Sequence, residues 1–218
     1  MVSPMVERVA WVDASSGASA GLLFAALVDA GVPIGVMAEA IEKVATGARL
    51  REERVQHEGV AATCCQVDVE DMSEPRTWPA TEALLAGAGL HEDVRSLAHD
   101  VFARLAETQS DAQGMPVEDV QFDVASPQAI AEVVGVCAGV VHLDILRLVV
   151  APGPVVLDQS SPVGAALLTA LADDWGAQPA MTVSGGGTGA EREAEGSAVL
   201  RLSVGEADPR HPESLGEG

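Results

Sequence analysis

The first 45 residues predict a strand, a short polar loop and two helices. Residues 8–13 (RVAWVD) form an apolar run typical of a buried strand. Small and polar residues follow, and residues 18–30 then carry an apolar stripe at helical spacing. The sequence GVP ends that helix, and Pro33 suits the first turn of a second helix over 33–45. The polar loop therefore lies at the carboxyl end of a strand, where sites gather in α/β proteins.

The next segment alternates apolar and polar positions, as strands do. The runs RLREERVQH and GVAATCCQVDVE meet at Glu58–Gly59. Because Gly suits a tight turn, this pattern predicts a β-hairpin.

The remainder of the chain mixes helical and strand-like patterns. The sequence predicts helices over 80–88, 91–109, 127–141 and 162–174, and strands at VQFDV and 146–152. Two further runs, PAMTVSG and SAVLRLSVG, indicate paired strands around a Gly-rich loop at 185–189, interpreted as a mobile hairpin loop or a lid. This order favours an α/β (α+β) fold with a mixed sheet and flanking helices. We expect a single compact domain over 1–206 and a disordered acidic tail over 207–218.

Composition narrows the environment and the partners. The chain has 218 residues, is 48% hydrophobic and carries a formal net charge of −21 from 33 acidic and 12 basic residues. Such a charge disfavours binding to nucleic acid or to an anionic membrane surface. Three cysteines, with no apolar leader at the start, favour a cytoplasmic protein. The small-residue helices permit a homo-oligomer, and we expect the partner to be a small-molecule substrate.

The loop after the first strand is the main candidate site. Asp13 ends the strand, and the loop offers hydroxyl and backbone N–H groups at a helix start: Ser15, Ser16, Gly17 and Ser19. These groups are suited to binding a substrate anion. The alternative is purely structural, with Ser15 or Ser16 capping the helix.

Two other titratable residues complete the candidate set. Asp123 ends the VQFDV run and is a candidate general base or hydrogen-bond acceptor, or else an exposed turn residue. His142 ends the helix 127–141 and is a candidate acid–base group, or else a histidine that interacts with the helix dipole.

A series of segments resembles the LarC family of nickel insertion proteins. DASSGASAGLLFAALVDAGVP is similar to the N-terminal signature of that family, and GVAATCCQVDVE, AIAEVVGVCAG, SSPVGAALLTALADDWG and GTGAERE resemble later family segments in the same order. The similarity spans residues 8–206. It implies nickel insertion into the nickel-pincer nucleotide cofactor of lactate racemase. The resemblance also implies a C-terminal domain that the family uses with CTP, and we expect no counterpart of it within these 218 residues.

The departures from the family pattern fall on polar positions. The family sequence Ser-Gly-Asp-Met is replaced by residues 19–22 (SAGL), so one acidic residue is missing. Family histidines fall on Pro75, Gln113 and the segment Gln121–Asp123, and a family Asp falls on Gln128. Nickel prefers imidazole and mixed nitrogen and oxygen ligands, which Gln and Pro do not replace. The sequence therefore predicts no metal site of the family type and no cofactor.

Three functions follow from this comparison. The first is a metal-independent acid–base enzyme (cyclisation, hydrolysis or isomerisation), with Asp13, Asp123 and His142 as catalytic residues; the loop residues and Gln121 would bind its substrate. The second is nickel insertion with a partner chain that supplies the missing ligands. The third is a non-catalytic binding or scaffold protein.

Overall fold

The computed structural model describes residues 7–45, 47–57, 59–69, 77–122, 126–151, 160–191 and 198–208. The strands in these ranges are β1 (Arg8–Asp13), β2 (Arg49–His57), β3 (Val60–Asp68), β4 (Arg147–Val150), β5 (Asp174–Trp175), β6 (Met181–Ala190) and β7 (Val199–Ala207). They form one sheet in the order β2-β3-β6-β7-β1-β4-β5. β1 pairs in parallel with β4 and antiparallel with β7, so the sheet is mixed, which confirms the predicted α/β fold class.

The predicted hairpin is confirmed. β2 and β3 pair antiparallel from Arg49 opposite Asp68 to His57 opposite Val60. Gly59 has a φ of +82°, the left-handed conformation that this turn requires and that glycine adopts without strain. The sequence specified this element because the alternation and the turn residue act locally.

The helices agree with the sequence pattern to within a few residues. They are α1 (Ala20–Asp29), α2 (Ile34–Glu42), α3 (Trp78–Gly87), α4 (Glu92–Gln113), α5 (Pro127–His142) and α6 (Pro162–Leu171). Helix α6 ends before the predicted residue 174, because Asp174 and Trp175 pair with β4 instead. The carboxylate of Asp173 also accepts a hydrogen bond from the backbone N–H of Leu148, at 2.8 Å, which fixes the chain beside β4.

The predicted Gly-rich loop is wrong: its residues lie inside strand β6. A Cβ atom at Gly187 would lie 2.2 Å from the carbonyl oxygen of Ala26, and one at Gly189 would lie 2.1 Å from that of Leu22. Both oxygens belong to α1. The glycines therefore allow the backbone of α1 to pack directly on the strand, and the prediction of a lid is withdrawn.

The predicted strand VQFDV is also corrected in its described part. A single 3₁₀ turn, Val117–Asp119, directly precedes this run, and within the run Gln121 makes only an isolated bridge with Thr77. Phe122 is fully buried against the rings of Trp78 and Phe102, so packing rather than strand pairing fixes this segment.

The main hydrophobic core lies between the sheet and the helices. The interior-facing residues of β1, β4 and β7 pack against α1, α5 and α6 in one continuous cluster. A smaller cluster on the other sheet face contains Val9, Val149 and Ala207. Within the described ranges, no helix is both long and apolar enough to span a lipid bilayer. Ala207 still belongs to β7, and residues 209–218, where the tail was expected, lie outside the described residues.

Candidate functional site

The loop between β1 and α1 is held by its own backbone and by Asp13. One carboxylate oxygen of Asp13 accepts a hydrogen bond from the N–H of Ser15, at 3.1 Å. The N–H of Gly17 donates to the carbonyl of Ala14 at 2.8 Å, and Gly17 has a φ of +95°. Ser15 and Ser16 are exposed. The sequence placed the helix cap on one of these two serines, and the structure corrects that assignment.

Ser19 is the residue that caps α1. Its hydroxyl oxygen accepts a hydrogen bond from the N–H of Leu22 at 3.1 Å. The same hydroxyl donates to the carboxylate of Glu191 at 2.9 Å. Ser19 thus joins the start of α1 to the residue that directly follows β6.

The start of α6 lies against the same loop. Ser160 accepts a hydrogen bond through its hydroxyl from the N–H of Ala18 at 2.8 Å, and Ser161 caps α6. The approach is close, since a Cβ atom at Gly164 would lie 2.1 Å from the carbonyl oxygen of Ala18. Two helix N-termini, those of α1 and α6, therefore meet at this loop.

A second carboxylate, that of Glu132 on α5, lies within electrostatic range of Glu191. Burial raises the pKa of Glu132, and the charge of Glu191 raises it further; a hydrogen bond of 3.0 Å donated by the Gln128 amide opposes this shift. The sequence analysis missed both glutamates. The available signal for Glu132 was a lone acid inside the apolar run AIAEVVGVCAG.

His142 lies away from this loop. Gly135 of α5 faces Phe24, and Gly139 faces Leu27, so α5 runs alongside α1 in the same direction. Ten residues of α5 separate Glu132 from His142, which is about 15 Å at the helical rise. The structure thus separates the predicted catalytic residues Asp13 and His142.

Of the two predicted residues on the 121–123 segment, Gln121 alone is among the described residues. Gln121 is exposed and bridges Thr77. Asp123 lies outside the described residues.

Cys65 and Cys137 are poorly suited to bind a metal ion through their thiol groups. Burial raises the pKa of Cys65 to about 12, with the charge of Glu52 adding to the effect. Burial also raises the pKa of Cys137 to about 12. Because the thiolate is the form that binds metals, neither is a ready ligand. Throughout the part of the chain that the structure describes, no three His, Cys, Asp or Glu residues form a group that could hold a metal ion.

Comparison with known proteins gives a consistent result. The sequence model of a family described as "Nickel insertion protein" matches residues 10–161. The chain is 42% identical to the pyridinium-3,5-bisthiocarboxylic acid mononucleotide nickel insertion protein of a Nocardioides species, over 90% of this chain and 59% of the relative. No solved structure matches.

Two more distant relatives carry similar names. A protein of Syntrophobacter fumaroxidans is 30% identical over 93% of this chain and 61% of its own length, and one of Thermomicrobium roseum is 39% identical over 67% and 37%. The names of both contain the words "nickel insertion protein". The chain thus spans about three fifths of the length of the first two relatives.

These matches overturn the first function expected from the sequence. A metal-independent acid–base enzyme was expected because family histidines are missing. The family match instead covers residues 10–161, which include the loop and α5, and the relatives are proteins named for nickel insertion. The expected function was wrong because it rested on lost side chains alone, whereas the match rests on the sequence of the whole matched range.

Proposed function

Because this chain belongs to the nickel insertion protein family, we propose that it takes part in inserting nickel into a pyridinium-3,5-bisthiocarboxylic acid mononucleotide, the compound in the name of its Nocardioides relative. The observation that carries this proposal is the 42% identity over 90% of the chain. Nickel is here a substrate that passes through the protein.

The loop site supplies oxygen ligands for this transfer. The Ser19 hydroxyl donates a hydrogen bond to the carboxylate of Glu191, and Glu132 lies within electrostatic range of that carboxylate. The carboxylate of Glu191 and the hydroxyl of Ser19 bind nickel more weakly than a cluster of imidazoles does. Weak binding suits a metal that has to be handed on, and the thiocarboxylates of the substrate complete the nickel coordination.

Glu132 also serves as a proton acceptor. Ligand groups lose their protons when they bind a metal. A carboxylate with a raised pKa takes up such a proton more readily than an ordinary one, and the pKa of Glu132 is raised by burial. Its electrostatic interaction with Glu191 links the acceptor to the carboxylate that binds the metal.

Arg201 and the loop serines orient the phosphate of the mononucleotide. Arg201 lies opposite Asp13 in the β1–β7 register and is exposed. It makes no ion pair within the described residues. Its guanidinium, with the exposed hydroxyls of Ser15 and Ser16, matches the hydrogen-bonding pattern of a phosphate group.

The described residues supply few ligands for nickel. Among them, no three His, Cys, Asp or Glu residues form a group that could hold a metal ion, so we propose that further ligands reach the nickel from another polypeptide in an assembly with this chain. The match covers 59% of the Nocardioides relative, and the part outside the match can be produced separately and mixed with this chain. If another polypeptide supplies ligands, that part should stimulate nickel transfer.

The test is a transfer assay. The full chain is incubated with Ni²⁺, CTP and the nickel-free mononucleotide, with and without that remaining part, and mass spectrometry records the gain of one nickel. We expect Glu132→Gln to slow transfer by roughly 100-fold, as for a lost proton acceptor. We expect Glu191→Gln to slow it by roughly tenfold, as for a weakened metal environment.

A matched control distinguishes the loss of a carboxylate at the site from the loss of one negative charge at the surface. Glu118→Gln removes one negative charge on the exposed 3₁₀ turn and should leave the rate unchanged. If the wild-type chain transfers no nickel under either condition, the proposed function is wrong. If both site variants transfer at the wild-type rate, the function stands and the site assignment is wrong.

A further inference from the structure

A cleft lies at the end of α5 that is remote from the loop site. It is about 230 Å³ in volume and lies between α2, the start of α4 and the last turn of α5. Its floor is apolar and its rim is polar; we name it the α2–α5 groove and define it by Ala40, Val94, Ala138, Lys43, His91 and His142. It shares no residue with the loop site.

The rim of the groove carries the ammonium group of Lys43, which makes no ion pair with the described residues. Lys43 is the only lysine in a chain with 33 acidic residues. Within the described residues it makes no ion pair, although Glu39 lies one turn earlier on α2 and lines the same groove. His142 on the opposite side likewise makes no ion pair there, whereas His91 lies 3.5 Å from the carboxylate of Asp93.

Helix dipoles explain part of this arrangement. Lys43 follows the last residue of α2, and His142 is the last residue of α5, so both sit where a helix favours a positive charge. The dipoles do not account for the apolar floor beneath these groups. Ala40, Val94 and Ala138 present that floor next to the unpaired ammonium group.

We propose that the α2–α5 groove binds a small organic monocarboxylate with a short apolar tail. The tail covers the alanine and valine floor, and the carboxylate accepts hydrogen bonds from Lys43 and from the ring N–H of His142. The small volume limits the tail to a few carbon atoms. Glu39 on the rim repels a second negative charge, so the groove discriminates against dicarboxylates.

The single lysine makes the test direct. The chain is produced with ¹³C-lysine, so that NMR shows one side-chain signal without any chemical modification. We expect hexanoate to shift the Lys43 signal in a saturable manner, and affinity to rise about fourfold per methylene from propionate to hexanoate. Succinate should bind more weakly than butyrate, which has the same number of carbons.

Calorimetry on variants then shows which side chains bind hexanoate. Lys43→Met should weaken hexanoate binding by roughly tenfold, and His142→Gln by a smaller factor. Arg104→Met removes the same charge from an exposed position ten residues beyond Val94 on α4, and it should bind like the wild type.

Three results would overturn the proposal. They are an unmoved Lys43 signal, equal shifts by acetate and hexanoate (which would show charge attraction alone), and full hexanoate affinity in Lys43→Met. None of these results bears on nickel transfer, because the groove shares no residue with the loop site and His142 lies about 15 Å along α5 from Glu132.

Discussion

Glu132 is a carboxylate placed where the surrounding helix is otherwise apolar. The neighbouring residues Ala131 and Val133 are fully buried, and α5 packs on both α1 and α2. Burying a carboxylate costs free energy unless hydrogen bonds or opposite charges compensate. Only Gln128 offers such compensation among its described contacts, while Glu191 adds repulsion. A residue that lowers stability in this way is typical of a site retained for function.

Because of this cost, we expect Glu132→Gln to raise the stability of the folded chain by an amount that depends on pH. The raised pKa means that the folded chain binds the proton more tightly than the unfolded chain. The penalty is therefore absent below the unfolded pKa, grows as the pH rises towards the folded pKa and is constant above it. At pH 8 the variant should melt about 2–4 °C higher than the wild type.

The comparison is made by thermal melts at pH 5 and pH 8, and the advantage should be smaller at pH 5. Glu118→Gln, at its exposed position, should show the same small difference at both values. If the difference in melting temperature between Glu132→Gln and the wild type became smaller as the pH rises, the raised pKa of Glu132 would be wrong.

At the scale of elements, α1 is fixed at both ends by polar contacts. Ser19 links its start to Glu191, and Asp29 links its end to three strands. The Asp29 carboxylate accepts hydrogen bonds from the Arg54 guanidinium of β2, from the Thr63 hydroxyl at 2.8 Å and from the N–H of Thr188 at 2.8 Å. These contacts hold the helix in register with the sheet, which positions the loop site.

The middle of α1 is held by close backbone packing against β6. Gly187→Ala should lower the free energy of unfolding by about 1–3 kcal/mol, because the added methyl group would collide with the backbone at Ala26 and Ala30. Urea denaturation measures the change.

Gly185→Ala is the matched control on the same strand. A Cβ atom there has no neighbour within 4 Å, so the change should stay within about 0.5 kcal/mol. Equal losses in the two variants would show that glycine flexibility, rather than the contact with α1, determines the effect.

At the scale of the whole molecule, charge is the dominant feature. A net charge of −21 destabilises the compact state through repulsion among the carboxylates. The described ion pairs are mostly exposed, such as Arg51 with Asp68, and contribute little. The repulsion is long-range and therefore sensitive to salt.

Raising NaCl from about 10 mM to about 300 mM should accordingly raise the melting temperature by about 2–4 °C, since added ions screen the repulsion. Calorimetry at pH 8 measures this shift. An equal concentration of sucrose serves as the uncharged control and tests for excluded-volume effects. A melting temperature that falls with salt would show that local ion pairs outweigh the repulsion.

Most of the fold could be predicted from the sequence, but less of the site could. The hairpin turn at Gly59 and the Pro33, Pro127 and Pro162 positions were informative, because each acts within a turn of the chain. The glycines of β6 were misinterpreted, since nothing local distinguishes a flexible loop from a strand that another backbone approaches closely. The same limit applies to Glu132, whose significance depends on a neighbour from another element.

The sequence by itself determined most of the helices and strands and their order, since periodicity and turn residues are properties of short segments. The resemblance of several segments in the same order indicated the family. Only the tertiary structure decided which side chains share a site. Ser19 and Glu191 are 172 positions apart and meet because β6 runs beside α1 in the sheet packing. Asp13 and His142 are separated because a helix fixes the distance between its two ends. Proximity between distant segments arises from packing, which no local pattern encodes.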